Sequence, residues 1–470
     1  LTFATSALPM TREHAVSAAN RFGLGARPGE LAVLDDPQGW LLAQLRPAPV
    51  PAALAALPGS IDYLQQDIAL QQARRVAKRE GGDAPKALAK ALRQGQLREL
   101  TARYQVAVDS QASFVERMVR FWSNHFAVSV DKRVAAPYAA PMEREAIRPH
   151  VTGQFGQLLL AVETHPAMLR FLDNARSVGA DSMLAQRVRR RDPDKAPGLN
   201  ENLAREILEL HTVGANGGYT QADVTEFAKA ITGWGVPGPQ DFRRGGVEGA
   251  FVFRPAAHAQ GARTVMGKRY AQPGMAQGRA ILADLAVHPA TARHVSGKIA
   301  RHLICDTPPP AVIEAMCQAW ARTDGDLAAV YTALVRHPAA WDAQARKFKT
   351  PDDYLVSALR AGGALDDRRP QALATLLGRM GQPPFTPRSP AGFEDDAAQW
   401  SGPDALWKRV QSAQALAEAV PEERLDPLRT AQTVFADTLD ADTATTLKRA
   451  ESPRDGLALL FASPAFQWRA

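Results

Sequence analysis

The sequence predicts a mainly α fold, one large helical domain spanning 1–470 and built of packed helical hairpins, with a short β or extended excursion near 249–270. Three observations carry the prediction. Apolar residues recur at helical spacing along most of the chain, alanine and leucine are abundant, and strand-like alternation is scarce. Four stretches, "LLLAVETHPAML" (158–169), "ILADLAVHPATA" (281–292), "VYTALVRHPAAW" (330–341) and "LALLFASPAFQW" (457–468), each run an apolar helical segment into His-Pro-Ala or Ser-Pro-Ala. Proline suits the first position of a helix and pushes the residue before it out of helical geometry. Each stretch is therefore a helix-turn-helix corner with His165, His288, His337 or Ser463 as the N-cap. Third, the Pro/Gly-rich stretches at 236–249, 306–310 and 382–403 lack the sustained polarity of free linkers. They connect lobes of one domain, with a lobe boundary expected near 236–270.

In chain order, "LTFATSALPM" (1–10) reads as an N-terminal tail, too short for a signal peptide but compatible with what remains after one is removed. No run of eighteen apolar residues follows, so no membrane span is expected. A composition of 46% apolar and 22% charged residues is that of a globular protein. The formal charge of +7 favours acidic partners, an acidic polymer among them. Positive charge gathers in 71–103, expected to be a solvated helical face, and in "QRVRRRDPDK" (186–195), expected to be a mobile loop. Neither has interleaved aromatics, which argues against nucleic acid.

"SFVERMVRFWSNHFAV" (113–128) is an amphipathic helix whose apolar face holds Phe114, Met118, Trp122 and Phe126, with His125 in its middle. His125 should be buried, either bonded to a carbonyl in the core or facing a polar cavity lined by the helix at 200–212. The stretch "NENLAREILELHTVGANGGYTQ" (200–221) predicts that helix over 201–213, with Asn200 as N-cap, Gly214 just past its end, and Thr220 capping the next helix through Asp223. At 100° per residue, Glu201, Asn202, Arg205, Glu206, Glu209 and Thr212 fan over a sector of roughly 140°, while His211 falls on the apolar side. One account of that sector is a ladder of i,i+4 pairs, Glu201 with Arg205 and Arg205 with Glu209. The other is a site. Glu206 and Glu209 are i,i+3 carboxylates, able to raise one another's pKa for acid–base work or to supply oxygen ligands to a divalent metal. Arg205 would then fix an anionic group, and His125 would act as acid or as a further ligand. Asn124, Arg148, Asp173 and Asn174 are polar groups without an obvious surface rationale, and together with Asn200, Glu201 and Asn202 they form the candidate substrate-binding set. Phe251 and Phe253 alternate with small residues in the predicted excursion. Cys305 and Cys317 leave a single bridge open, and Trp400 and Trp407 read as packing residues.

The patterns argue against nucleotide chemistry and a serine triad. "RFGLGARPG" lacks the lysine and preceding strand of a phosphate loop, and there is no Gly-x-Ser-x-Gly elbow and no His-Glu-x-x-His pair.

"AANRFGLGARPGEL", "RFWSNHFAVS", "AIRPHVTGQFGQLLLAVETHPAMLRFLDN", "NENLAREILELHTVGANGGYTQADVTEFAKAITGW", "HPAAWDAQARKFKTPDDYLVSALRA", "GFEDDAAQWSGPDALWKR" and "SPAFQW" resemble, in order, the large bacterial family catalogued as domain of unknown function 1800. The resemblance spans nearly the whole chain; Phe393 stands where a tryptophan commonly follows the glycine. It implies a helical, exported protein, periplasmic or extracellular, encoded beside a companion related to sulfatases and alkaline phosphatases (domain of unknown function 1501). It marks Trp122, Asn124, His125, Asp173, Asn174, Asn200, Glu201, Asn202, Arg205, Glu206, Glu209, His211 and Thr212 as important positions and brings no mechanism. Three readings stay open. The first is an acid–base or metal-assisted enzyme on an anionic or carbohydrate substrate; the second is a non-catalytic accessory of the companion. The third, a nucleic-acid or membrane-surface binder, would reveal itself by binding that falls steeply with salt.

Overall fold

The four proline corners turn the chain as their sequence requires. His165, His288 and His337 each accept the N–H two residues on through Nδ1, at 3.1–3.2 Å, and Ser463 Oγ accepts the N–H of Phe466 at 3.2 Å. In all four the proline opens the helix. The computed structural model describes residues 11–82, 85–192, 194, 197–245, 247, 249–362 and 370–469. The tail expected at 1–10 lies outside them.

The architecture is mainly α, with short antiparallel strand pairs. Two hydrophobic cores organise it. The first joins helices from Ala15 to Trp341 around Phe114, Trp122, Phe155, Ile207, Trp234, Trp320 and Tyr331. The second is built from Tyr354 to Phe466 and also takes in Leu24, Leu100 and Tyr104. Residues on both sides of 236–270, such as Val236 and Ile281, share the first core, and the change between cores falls between Trp341 and Tyr354.

The excursion near 249–270 forms as two antiparallel pairs: Val252–Phe253 beside Trp234–Gly235, and a tight hairpin of Arg263–Val265 with Lys268–Tyr270. Met266 and Gly267 both have positive φ at its tip, the twist that a two-residue hairpin turn needs. A third pair, Lys347–Phe348 with Trp468–Arg469, has no advance signal because its partners lie some 120 residues apart.

Several local expectations need correcting. Residues 186–191 of the expected loop are the end of the helix Met183–Arg191; Pro193 and Lys195 lie outside the described residues. Trp400 is buried, but Trp407 is 62% exposed and packs little. Both cysteines are free. The helix expected over 201–213 starts at Asn202 with Glu201, not Asn200, in the cap position, and after Glu206 it widens into a π-helical turn, Ile207–His211. That wider turn breaks the 100° progression, so Thr212 leaves the polar sector. It is buried, its hydroxyl donating to the Ile207 carbonyl at 2.6 Å.

Candidate functional site between the two cores

The helix Ser113–His125 buries its apolar face as the spacing predicts, and it also buries Arg117 and Arg120 against the second core. Arg117 donates to the Gly23 carbonyl at 2.6 Å and to Asp353 at 2.8 Å. Arg120 pairs with Asp352 at 2.5 Å, and Tyr104 donates to the same carboxylate. Asp353 Oδ2 also lies 3.2 Å from Arg469, a fully buried residue of the last strand. Burial pushes the Asp353 carboxyl up, but Arg117 and Arg469 outweigh it and hold the group far below the usual carboxylate range.

Next to this network lies a cleft of about 510 Å³. Its walls come from three helices and one loop. The first helix gives Arg120, Phe121, Asn124 and His125; Pro289–Leu303 gives Arg293, His294, Lys298, Arg301 and His302; Asp352 and Asp353 begin a third; and Ala391, Phe393 and Glu394–Asp396 close the mouth. His294, Lys298, Arg301 and His302 share one stripe because positions i, i+4, i+7 and i+8 stack along a helix. Asn124 ties the loop down with two bonds of 2.8 Å, its amide donating to the Phe393 carbonyl and accepting the Phe393 N–H. Gly392 makes this approach feasible: its φ is +87°, and a Cβ there would sit 2.3 Å from the Asn124 carbonyl oxygen. Gly392→Ala is expected to cost about 1–3 kcal/mol in chemical denaturation, by strain and by loss of the Asn124 clamp.

Three imidazoles are oriented by fixed partners. His302 Nδ1 bonds Asp395 Oδ2 at 2.8 Å, and its Nε2 is buried without a partner among the described residues. Burial lowers the His302 pKa despite Asp395, so the ring is neutral near pH 7. Burial alone would raise Asp395; His302, Lys347 and Arg469 hold it down at about 2. His125 donates from Nε2 to the His211 carbonyl at 3.2 Å, which leaves Nδ1 as an unpaired acceptor. His294 bonds the Leu210 carbonyl in the same way, at 3.2 Å. Thus two carbonyls left free at the end of the π turn are capped by imidazoles from other helices. Lys298 and Arg301 have no ionic partner among the described residues, and burial lowers Lys298 to about 8.

The expected site residues fall into separate groups. His125 is 2% exposed and bonded to a carbonyl, as the first reading expects; it also lines a cleft, but one to which no residue of the 200–212 helix contributes lining. Asn124 joins it there. Arg148 instead forms a buried bidentate pair with Glu116, at 2.5 and 2.8 Å. Asp173 pairs with Lys132 at 2.6 Å, and the buried Asn174 amide donates to the carbonyls of Ile231 and Trp234. The polar helix faces elsewhere. Glu201 accepts from Thr225, Gln221 and Arg205; Asn200 holds the N–H of Asn202, itself exposed; Glu209 accepts from Tyr219. Of the expected ladder, Glu201–Arg205 forms at 3.3 Å, whereas Arg205 turns to Gln221. Glu206 has no hydrogen-bonding partner among the described residues, and its pKa is raised, by burial first. His125 makes no bond to Glu206 or Glu209, and among the described residues no three His, Cys, Asp or Glu side chains converge as metal ligands would. Glu206→Gln is therefore expected to shift stability by no more than about 0.5 kcal/mol, and to raise rather than lower the melting temperature.

Sequence reading passed over His294, Lys298, Arg301, His302, Asp353 and Asp395. Their signal was present in "RHVSGKIARHL", a helix with four basic or imidazole groups on one face, and in the paired aspartates of "TPDDY" and "FEDDA".

Fold and cleft together define a mainly α protein that brings one set of its buried ionisable groups together beside a cleft where its two apolar cores meet. The chain belongs to the family described as Protein of unknown function (DUF1800), whose model matches residues 17–468, as the resemblance implied. No curated protein and no solved structure matches it. Among the described residues no helix is long and apolar enough to cross a membrane.

Proposed function

We propose that the cleft binds a small anionic substrate and carries out acid–base chemistry on it, with His302 as the base. The observation that carries this reading is the His302–Asp395 pair, 2.8 Å apart, in which His302 lines the cleft and its Nε2 is buried and unpaired among the described residues. A carboxylate accepting Nδ1–H fixes the tautomer, so the Nε2 lone pair is the one left to take a proton from a substrate hydroxyl or a water. The imidazolium that results is stabilised by Asp395. Lys298 and Arg301 line the cleft without a direct ion pair among the described residues, Lys298 feeling Asp395 and Glu394 only at longer range, and their positive charge suits a phosphate, sulfate or carboxylate group. His125, also on the cleft lining, keeps a second unpaired acceptor in its buried Nδ1.

The test is a panel of phosphate, sulfate and carboxylate esters. Where turnover is found, His302→Gln should cut kcat by about 10²–10⁴ with KM little changed, since general base catalysis contributes that much. Lys298→Met with Arg301→Met should raise KM instead. Because burial lowers the His302 pKa, the rising limb of the pH–rate profile should lie below pH 6.5. An unaltered kcat in His302→Gln removes the proposal.

One observation favours a second reading, a non-catalytic binding or accessory protein. Asp352 and Asp353 are already matched to Arg103, Arg117, Arg120 and Arg469, the arrangement of an ion network that specifies a fold. Its mark would be stabilisation by inorganic phosphate or sulfate, lost in the Lys298/Arg301 double variant, with no turnover of any ester.

A further inference from the structure

The chain's net charge is not spread over its surface. Residues 71–98 hold eight Lys or Arg against Glu80 and Asp83, a net +6 of the +7 carried by all 470 residues. They belong to two long helices, Ser60–Glu80 and Lys86–Asp109, about 31 and 36 Å in length at 1.5 Å per residue. The roots of this pair are packed: Tyr63, Leu64 and Leu70 on one helix, Leu92, Gly95 and Leu100 on the other, are buried. Beyond Leu70 and before Leu92 no described side chain is buried, so the last ten residues of the first helix, about 15 Å, and the first six of the second, about 9 Å, extend past the packed roots. Both lengths exceed the Debye length of about 8 Å at physiological salt, so acids on the body do not screen the tip.

Every lysine and arginine of the tip is exposed, and among the described residues only Ala73, Ala77, Pro85 and Ala89 are half-buried. Among the described residues Arg74, Arg75, Lys78, Lys86, Lys90 and Arg93 have no ionic partner, whereas Arg79 has its neighbour Glu80 at 3.3 Å. Arg74, Arg75, Lys78 and Arg79 fan over about 140° on the side away from Ala73 and Ala77, and Lys86, Lys90 and Arg93 form an i, i+4, i+7 stripe on the second helix. A planar bilayer could meet only part of such a collar, and Val76 and Leu88 are the only large apolar side chains exposed there, too few for an inserted apolar face. Bases would find nothing to stack on, because 71–98 contains no aromatic residue. The residues set among the cations are glutamines instead, with Gln71, Gln72, Gln94 and Gln96 exposed. Their amides donate to and accept from hydroxyls.

We propose that this basic helical arm binds an acidic polysaccharide, its cations engaging carboxylate or sulfate groups and its glutamines the sugar hydroxyls. The site is separate from the cleft, and the inference stands whether or not the cleft is catalytic.

The experiment uses the whole chain and a variant with Arg74→Gln, Lys78→Gln, Lys86→Gln and Lys90→Gln, four exposed positions outside every buried network described above. Binding to heparin, as a sulfated probe, and to polygalacturonate, as a carboxylated one, is measured against sodium chloride concentration. The expected result is binding at about 0.1 M salt that weakens at least about tenfold in the variant, with a shallower dependence of log K on log salt. The variant's melting temperature should be unchanged. Wild-type protein that passes through both matrices at that salt, or a variant that elutes where the wild type does, overturns the proposal. So does tighter binding to phosphatidylglycerol vesicles or to duplex DNA than to either polysaccharide, which would give the arm a different partner.

Discussion

Arg360→Met should lower the unfolding free energy by about 4–5 kcal/mol, at the far end of what single substitutions do. The guanidinium is 1% exposed and donates to four carbonyls: Gly25 at 2.7 Å, Ala107 at 2.9 Å, and Val108 and Ser110 at 3.0 Å each. Its remaining arm meets Glu30 at 3.3 Å. Methionine would fill most of the volume and leave all four carbonyls and a carboxylate without their partner, each buried acceptor costing about 1–3 kcal/mol before the structure relaxes. Lysine should recover only part of the loss, since one ammonium cannot span a fan of acceptors set by a planar fork. Urea denaturation followed by tryptophan fluorescence and by circular dichroism measures the difference. A loss under about 1 kcal/mol would mean that the carbonyls find water or other donors.

The second large effect is at Asp353, wedged between Arg117 and Arg469. Asp353→Asn removes the charge and keeps the shape, leaving two buried guanidinium groups without their nearest counter-charge and only the more distant Asp395 to offset them, and a loss of about 3–5 kcal/mol is expected. The pH dependence follows in sign. A carboxylate held below its unfolded value of about 3.9 contributes stability that is fully present above that pH and disappears as the pH falls through the folded value. Asp353 and Asp395 are both held down, Asp395 at about 2, so wild-type stability should fall from about pH 4 towards pH 2. The Asn variant should start lower and fall less over the same window. Parallel curves for the two proteins would show that Asp353 is not depressed.

What was legible in the sequence was whatever a few neighbouring residues decide. A proline after histidine fixes a corner wherever it falls, and the apolar spacing of 113–126 puts His125 inside whatever that helix packs on. The alternation around Phe251 and the glycine at 267 were enough for an extended excursion. The cleft was not legible, because its groups come from positions near 125, 300, 352 and 395, and nothing local says that these segments meet. The polar helix drew attention for its density of charge. Yet a single turn of π-helix at Ile207–His211 decides what its end does, and side-chain pattern does not foretell a widened turn. Its contribution to the cleft is made by two backbone carbonyls, those of Leu210 and His211, which no side-chain pattern reports.

Several contacts that hold the cores are short in space and very long along the chain. Asn20 donates to the Val434 carbonyl across 414 residues, Arg21 to Ala345 across 324, and Arg360 to Gly25 across 335. Closing loops of that size is entropically costly before any contact rewards it, so such topologies fold slowly and through partly formed intermediates. During synthesis the segment around residues 20–26 must wait for several hundred further residues before its partners exist. At about 5–20 residues per second that is tens of seconds spent with Phe22, Leu24 and a bare guanidinium uncovered. The N-terminal segment around residues 20–26 is thus among the last to gain its partners, and until then a nascent chain is in need of protection from aggregation.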